Sequence, residues 1–152
     1  MCWNGASGVS GAVSGGDDTR MARMPRPAAL LHHDSPDGAH VDVLLGRPAP
    51  AEGAWCWRAP VRVDGLAPGT SVPIQPLPVH RELYLELREP RTLDGARGQV
   101  RPIRRGTWCA EAAGCVLITW EDGERSRFRL EADGAPASTE DPSAATRLVR
   151  LP

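Results

Sequence analysis

The stretch HHDSPDGAHVDVLL, residues 32–45, holds three of the four histidines in this 152-residue chain, with aspartates interleaved. His40 and Asp42 stand two apart in an alternating run, so on a strand both side chains leave the same face. His33 ends the preceding apolar run, and a turn through SPDGA returns it beside His40. Two imidazoles and one carboxylate with open positions suit Mn2+, Zn2+ or Fe2+. The same residues also read as a polar loop entering a strand, and spacing leaves both readings open. His32 is the alternative ligand, although alternation places it on the face opposite His33. The remaining histidine, His80, precedes the sole tyrosine, Tyr84, by four residues.

Composition narrows the chemistry. All 18 basic side chains are arginines, which excludes lysine Schiff-base and lysyl-adenylate intermediates. A net charge of −1 excludes a generally basic nucleic-acid coat. Charge is nevertheless uneven: Arg81, Arg88, Arg91, Arg97, Arg101, Arg104 and Arg105 outnumber Glu82, Glu86, Glu89 and Asp94. That segment reads either as a solvated strand face of mixed ion pairs or as a groove facing phosphate. Cys2, Cys56, Cys109 and Cys115 form no CxxC pair, and the spacing of the last two is not a common zinc pattern. Cys56 and Cys109 lie beside tryptophans in apolar runs and are expected to be buried free thiols. MCWNGASGVSGAVSGG lacks the basic start and apolar core of a secretory signal. No run approaches the roughly 18 apolar residues of a membrane span, so a soluble cytoplasmic protein is expected.

Such side chains need elements to aim them, and the content of Gly (16) and Pro (15) favours short strands and turns over helices. Residues 1–23, rich in Gly, Ser and Ala, read as a flexible extension, with Met21 and Met24 as alternative starts. PAALLHHD, HVDVLLG and AWCWRAPVRV read as strands, and RPAPAEG as a turn. DGLAPGTSVPIQPLP is expected to be an ordered loop. HRELYLELREP reads as helix or strand, and the alternation of Leu83, Leu85 and Leu87 with Tyr84, Glu86 and Arg88 fits a half-buried strand better. TLDGARG is a turn, and QVRPIRRGTWCAE a strand with a proline bend. GCVLITWEDGERSRFRLEADG is a hairpin about its Asp-Gly pair. Residues 132–152 read as a mostly polar tail with a short final strand at TRLVRL. The expected fold is all-β: a compact barrel or sandwich of seven or eight short strands over residues 24–131.

Four segments in order, HDSPDGAHVD, WRAP, HRELY and GARGQVRPIRRGTW, resemble the 3′-phosphoesterase domain of bacterial DNA ligase D. They are closer still to the small stand-alone relatives of that domain, and the resemblance spans residues 24–131. It implies a phosphoesterase-type β-barrel whose open groove holds Mn2+, or another divalent ion, and trims 3′-phosphate or 3′-ribonucleotide ends of DNA. The implied metal ligands are His33, His40 and Asp42, and the implied catalytic phosphate contacts are His80 and Tyr84. Nucleic-acid 3′ ends are the implied partner; a repair ligase or polymerase partner is left unspecified. The chain departs from the family at several places. Leu44 stands where ligase-linked members carry arginine, Pro78 and Val79 replace acidic residues, and Arg88 and Glu89 replace Glu and Gly. The gap from His33 to His40 is also one residue longer than in ligase-linked domains. Period two predicts that Leu44 borders the metal, where it offers a phosphoryl oxygen no hydrogen bond. Arg58 and Arg62 on the next strand are the expected phosphate-binding substitutes. Two other functions compete: a catalytically weakened metal- and nucleic-acid-binding module of the same fold, and a small-molecule metalloenzyme on a cupin-like barrel. The arginine-rich segment argues against the last.

Overall fold

The computed structural model describes residues 24–138 and 140–152, so the expected extension over 1–23 lies outside the described residues. Among those described, the strands in chain order are β1 (Arg26–Ser35), β2 (Gly38–Gly46), β3 (Ala54–Ala59), β4 (Ser71–Pro73), β5 (Gln75–His80) and β6 (Arg91–Thr92). They continue with β7 (Gln99–Ala110), β8 (Cys115–Trp120), β9 (Arg125–Ala132), β10 (Ala135–Pro136) and β11 (Arg147–Arg150). All pair antiparallel in one sheet ordered β4-β11-β9-β8-β7-β1-β2-β3-β5, with β6 added to β7 and β10 to β9. The described residues are all-β apart from short 3-10 turns at Val63–Gly65, Glu82–Tyr84 and Pro142–Ala144. No helix among the described residues is long and apolar enough to cross a membrane.

The expected barrel is corrected to an open, strongly bent sheet. β4 and β5 lie at opposite ends of the strand order, yet Ile74 alone separates them in the chain, so the sheet must curl until its ends meet there. No ladder joins the two edges. Pro73, Pro76 and Pro78 fall on these strands, and proline has no N–H to donate. The same prolines explain why the segment read as a loop: they are tolerated because these are edge strands. Eleven strands replace the expected seven or eight, the surplus coming from the edge pair and from the two-residue β6 and β10.

Two apolar clusters follow from the two faces of the sheet. Ala28 and Leu30 of β1, Val41, Val43 and Leu45 of β2, and Trp55 and Trp57 of β3 point inward to the main core. Trp120, Phe128, Leu130 and Leu148 meet them there from β8, β9 and β11, so the final strand contributes to the core. Two of the buried indoles are satisfied: Trp108 Nε1 donates to the Gly46 carbonyl at 3.1 Å and Trp120 Nε1 to Ser126 Oγ at 2.8 Å. The opposite face of β1–β3 carries Ala29, Leu31, Leu44, Ala54 and Cys56, which pack under Leu85. Each fully buried Leu or Val contributes roughly 1.5–3 kcal/mol, so the second cluster is a substantial covering layer.

Its cover is the segment read as a strand. HRELYLELREP instead makes the 3-10 turn Glu82–Tyr84 and then runs across the outer face, burying Leu85 while Leu83 and Leu87 are half-buried. Its leucines alternate as a strand's would, but the 3-10 turn directly after edge strand β5 directs the chain onto the outer face, where Tyr84, Leu85 and Leu87 close a second core instead. Arg105 Nε holds the turn down by donating to the Leu85 carbonyl at 3.1 Å. The β1–β2 and β8–β9 hairpins form as expected. The proline bend in β7 is a bulge, since β1 steps from Leu30↔Arg104 to Leu31↔Pro102. Cys56 is the expected buried free thiol, whereas Cys109, also buried, is disulfide-bonded.

Candidate metal centre and its cavity

The two-residue turn between β1 and β2 sets a register in which His33 lies directly opposite His40. Period two then puts Asp42 on the same outer face, one pair further along and opposite Arg58 of β3. The imidazole centroids are 4.6 Å apart at an interplanar angle of 66°. His33 Nδ1 lies 3.7 Å from Asp42 Oδ2, and His40 Nε2 lies 3.1 Å from Asp42 Oδ1. One ligand atom from each of the three side chains falls within 4.8 Å of the other two.

Despite the 3.1 Å approach, His40 Nε2 and Asp42 Oδ1 lack the geometry of a hydrogen bond, and both are buried without a partner. His40 is 7% exposed and Asp42 2%. A buried polar atom left unpaired costs about 1–3 kcal/mol, more when charged, so two facing each other need explanation. A divalent cation explains both, and the donor set of two imidazoles and a carboxylate fits one. Burial lowers the pKa of His40; Asp42 works against this, while Arg58 and His33 add to it. The imidazole is thereby kept in the neutral form that ligates.

His33 is oriented by its other ring nitrogen. Nε2 lies 2.8 Å from the Arg97 carbonyl, which can only accept, so Nε2 carries the proton and Nδ1 keeps its lone pair toward Asp42. Gly98 makes that contact possible. Its φ is +90°, and a Cβ there would sit 1.8 Å from the Asp34 carbonyl oxygen. No larger residue lets the 93–98 turn approach β1 closely enough. His32 points the other way and pairs with Asp34 at 2.9 Å, as alternation predicts.

His80 ends β5 opposite Ala54, at a β3–β5 irregularity where Gly53 packs against its backbone. A Cβ at Gly53 would lie 2.5 Å from the His80 carbonyl oxygen. His80 Nδ1 donates to the Pro78 carbonyl at 2.9 Å, leaving Nε2 with its lone pair. Tyr84 reaches it through the 3-10 turn: the rings meet edge to face, with centroids 5.7 Å apart. On the expected strand, residues four apart would lie about 13 Å from each other. The turn therefore assembles the pair where a strand would have separated it.

A cavity of about 490 Å³ opens over these groups. His33, Asp42, His80 and Tyr84 line it together with Arg81 and Arg97, while Leu31, Leu93 and Val100 supply apolar wall. The arginine-rich segment thus divides. Arg88 pairs with Glu121 at 3.1 Å, and Arg104 with Asp64 and Asp122 at 3.2 and 2.7 Å, as a mixed ion-pair face; only Arg81 and Arg97 of the seven line the cavity.

Three placements differ from expectation. Leu44 shares the face of His40 and Asp42 but is fully buried with Ala29, Cys56 and Leu85, and it does not line the cavity. Arg58 lies across from Asp42 with its Nε buried and unpartnered, also outside the cavity lining. Arg62 is elsewhere, held by Asp64 through contacts of 3.2 and 2.7 Å. Sequence reasoning missed Cys56, which forms a second group with Asp42 and His80, their ligand atoms within 4.8 Å of one another. Cys56 precedes Arg58 by two on β3, and that spacing was the available signal; the β2–β3 register was not readable. No protein-family model matches the chain, and no curated protein matches it.

Proposed function

We propose that the chain is a metal-dependent phosphoesterase acting on the 3′ ends of DNA, with 3′-phosphate or 3′-ribonucleotide termini as substrates. The observation that carries this reading is the cavity itself. Its lining holds His33 and Asp42, with His40 buried behind them 3.1 Å from Asp42 Oδ1, and facing them His80, Tyr84, Arg81 and Arg97. A cation held by His33, His40 and Asp42, Mn2+ in this reading, would polarise a phosphoryl oxygen and neutralise developing charge.

The chain's own groups complete the chemistry. Arg81 and Arg97 draw a phosphate into a cavity whose apolar walls strengthen their field. Arg97 is braced by donation from its Nε to the Asp94 carbonyl at 2.9 Å, and the Arg81 guanidinium stands 5.9 Å from the Tyr84 ring centre. His80, its Nδ1 proton committed to Pro78, has Nε2 as the atom that takes or gives a proton at the leaving or phosphoryl oxygen. The Tyr84 hydroxyl is a second donor in the same wall.

The test is conversion of a 3′-phosphate DNA end to a 3′-hydroxyl by the full chain with and without Mn2+. Conversion that requires Mn2+ is expected. A folded, metal-loaded protein that binds the DNA end but leaves it intact would replace this reading with a metal- and nucleic-acid-binding module. The observation favouring that second reading is Leu44, which leaves β2 without an arginine at the cavity.

A further inference from the structure

The metal triad uses Asp42 but leaves Cys56 without a role. Cys56 is a free thiol, 2% exposed, on the outer face of β3 directly opposite Leu44 of β2 and Leu77 of β5. Its sulfur, a carboxylate oxygen of Asp42 and a ring nitrogen of His80 lie within 4.8 Å of one another. The two possible ligand groups, His33–His40–Asp42 and Asp42–Cys56–His80, have only Asp42 in common. A carboxylate has about four lone-pair sites and serves two cations at once in two-metal centres.

We propose that Asp42 bridges two cation positions, and that the second, formed with Cys56 and His80, takes a thiophilic divalent ion such as Zn2+ or Cd2+. Two observations beyond the presence of a cysteine point to a ligand there. The Asp42 carboxylate is 2% exposed and makes no hydrogen bond through Oδ1, which lies 3.1 Å from His40 Nε2, and the His80 Nδ1 bond to Pro78 frees Nε2 for coordination. Asp42 and His80 both line the cavity, which gives an ion a way in. Thiolate is a soft ligand, so this position discriminates against Mn2+, whereas the imidazole–carboxylate triad does not require a soft ion. Occupation expels the thiol proton and fixes the sulfur as thiolate.

One consequence rests on the phosphoesterase reading. His80 Nε2 cannot ligate an ion and meet a phosphate together, so a thiophilic ion in the second position silences the enzyme while Mn2+ alone supports it. Cation binding itself does not depend on that reading.

The experiment uses the metal-free full chain carrying Cys115→Ser, because Cys115 is the other free thiol among the described residues. Calorimetric titration should give one equivalent of Mn2+ and two of Cd2+, and Co2+ should produce a thiolate charge-transfer band in the near ultraviolet. Cys56→Ser should remove the band and one Cd2+ equivalent while leaving Mn2+ binding intact. His80→Ala, which makes no change at the thiol, should also lose that Cd2+ equivalent, and His33→Ala should retain the band. A single Cd2+ equivalent with no thiolate band, beside normal Mn2+ binding, overturns the second position alone. A band that survives Cys56→Ser overturns it as well. Failure to bind either ion overturns both this inference and the metal-centre reading.

Discussion

Asp42 and Asp64 are both buried carboxylates, with side chains 3% and 5% exposed, and they are treated in opposite ways. Asp64 is satisfied from two sides: Arg62 grips both oxygens at 3.2 and 2.7 Å, and Arg104 adds a bond at 3.2 Å. Arg104 is itself shared with Asp122 and stacks over Trp120 at 4.8 Å, tying the 3-10 turn at Val63–Gly65 to the β8–β9 hairpin. Asp42 has no such clamp. It faces two imidazoles and makes no hydrogen bond through Oδ1, while Arg58, opposite it on β3, makes none through its own buried Nε. A buried charge closed off by its partners fastens a fold; one left open is kept for something that arrives.

The strongest test of that contrast is to give Asp42 the kind of partner Asp64 has. Leu44→Arg places a guanidinium on the same strand face, but the site is sealed beneath Leu85 and offers no room for a charge. The expected outcome is a loss of about 3–5 kcal/mol in denaturant unfolding, the usual cost of an uncompensated buried charge, and no gain in turnover. A folded, more active variant would show that this position does reach the cavity.

Next in size is the difference between removing each carboxylate. Asp42→Ala should weaken Mn2+ binding beyond the roughly 10–100-fold typical of losing an outer-shell partner, with little change in the thermal midpoint of the metal-free protein. Asp64→Ala should leave the Mn2+ titration unaltered. Equal effects on affinity would erase the distinction between the two sites.

His80→Ala separates proton handling from metal holding within the open site. Turnover on a 3′-phosphate end should fall by about two orders of magnitude, while the Mn2+ affinity of the triad changes little. Parallel loss of Mn2+ would make His80 a ligand of the first position.

The smallest effect concerns acid. Burial is the largest influence on Asp64 and acts to raise its pKa, but the bonds and charges of Arg62 and Arg104 outweigh it and hold the carboxyl below its ordinary value. Because the folded-state pKa is depressed, the unfolded chain binds more protons as pH falls past the ordinary value. The stabilisation is therefore complete above that value and disappears as pH drops through the folded one. Asp64→Asn should cost about 2 kcal/mol near neutrality, in the range for hydrogen bonds to charged groups. The difference between the unfolding free energies of variant and parent should shrink in acid, and a pH-independent difference would show that the arginines do not hold the ionised form.

The grouping of His33, His40 and Asp42 was legible because every step to it is local. Alternation in HVDV fixes one face for His40 and Asp42, and the short turn after Ser35 folds β1 back so that His33 faces His40. The β8–β9 hairpin was legible for the same reason, its Asp122–Gly123 turn lying between two alternating runs. HRELYLELREP was not. Its alternation is real, but whether such a segment joins a sheet edge or lies across a sheet face depends on which surfaces the other strands leave uncovered.

Alternation and turn chemistry therefore settle which side chains share a face and where adjacent strands reverse, since both depend on covalent neighbours and backbone geometry alone. They specify His33, His40 and Asp42 as a group, and they place His32 outside it. The assembled sheet adds what no local pattern contains. It sets Asp42 against Arg58 and Cys56, brings the Arg97 carbonyl to His33, and lays Tyr84, Leu85 and Leu87 over the second apolar face of β1–β3. Those contacts join residues far apart in the chain. Their register is chosen by how the whole apolar surface is buried, so the cavity exists only once the sheet has curled around its core.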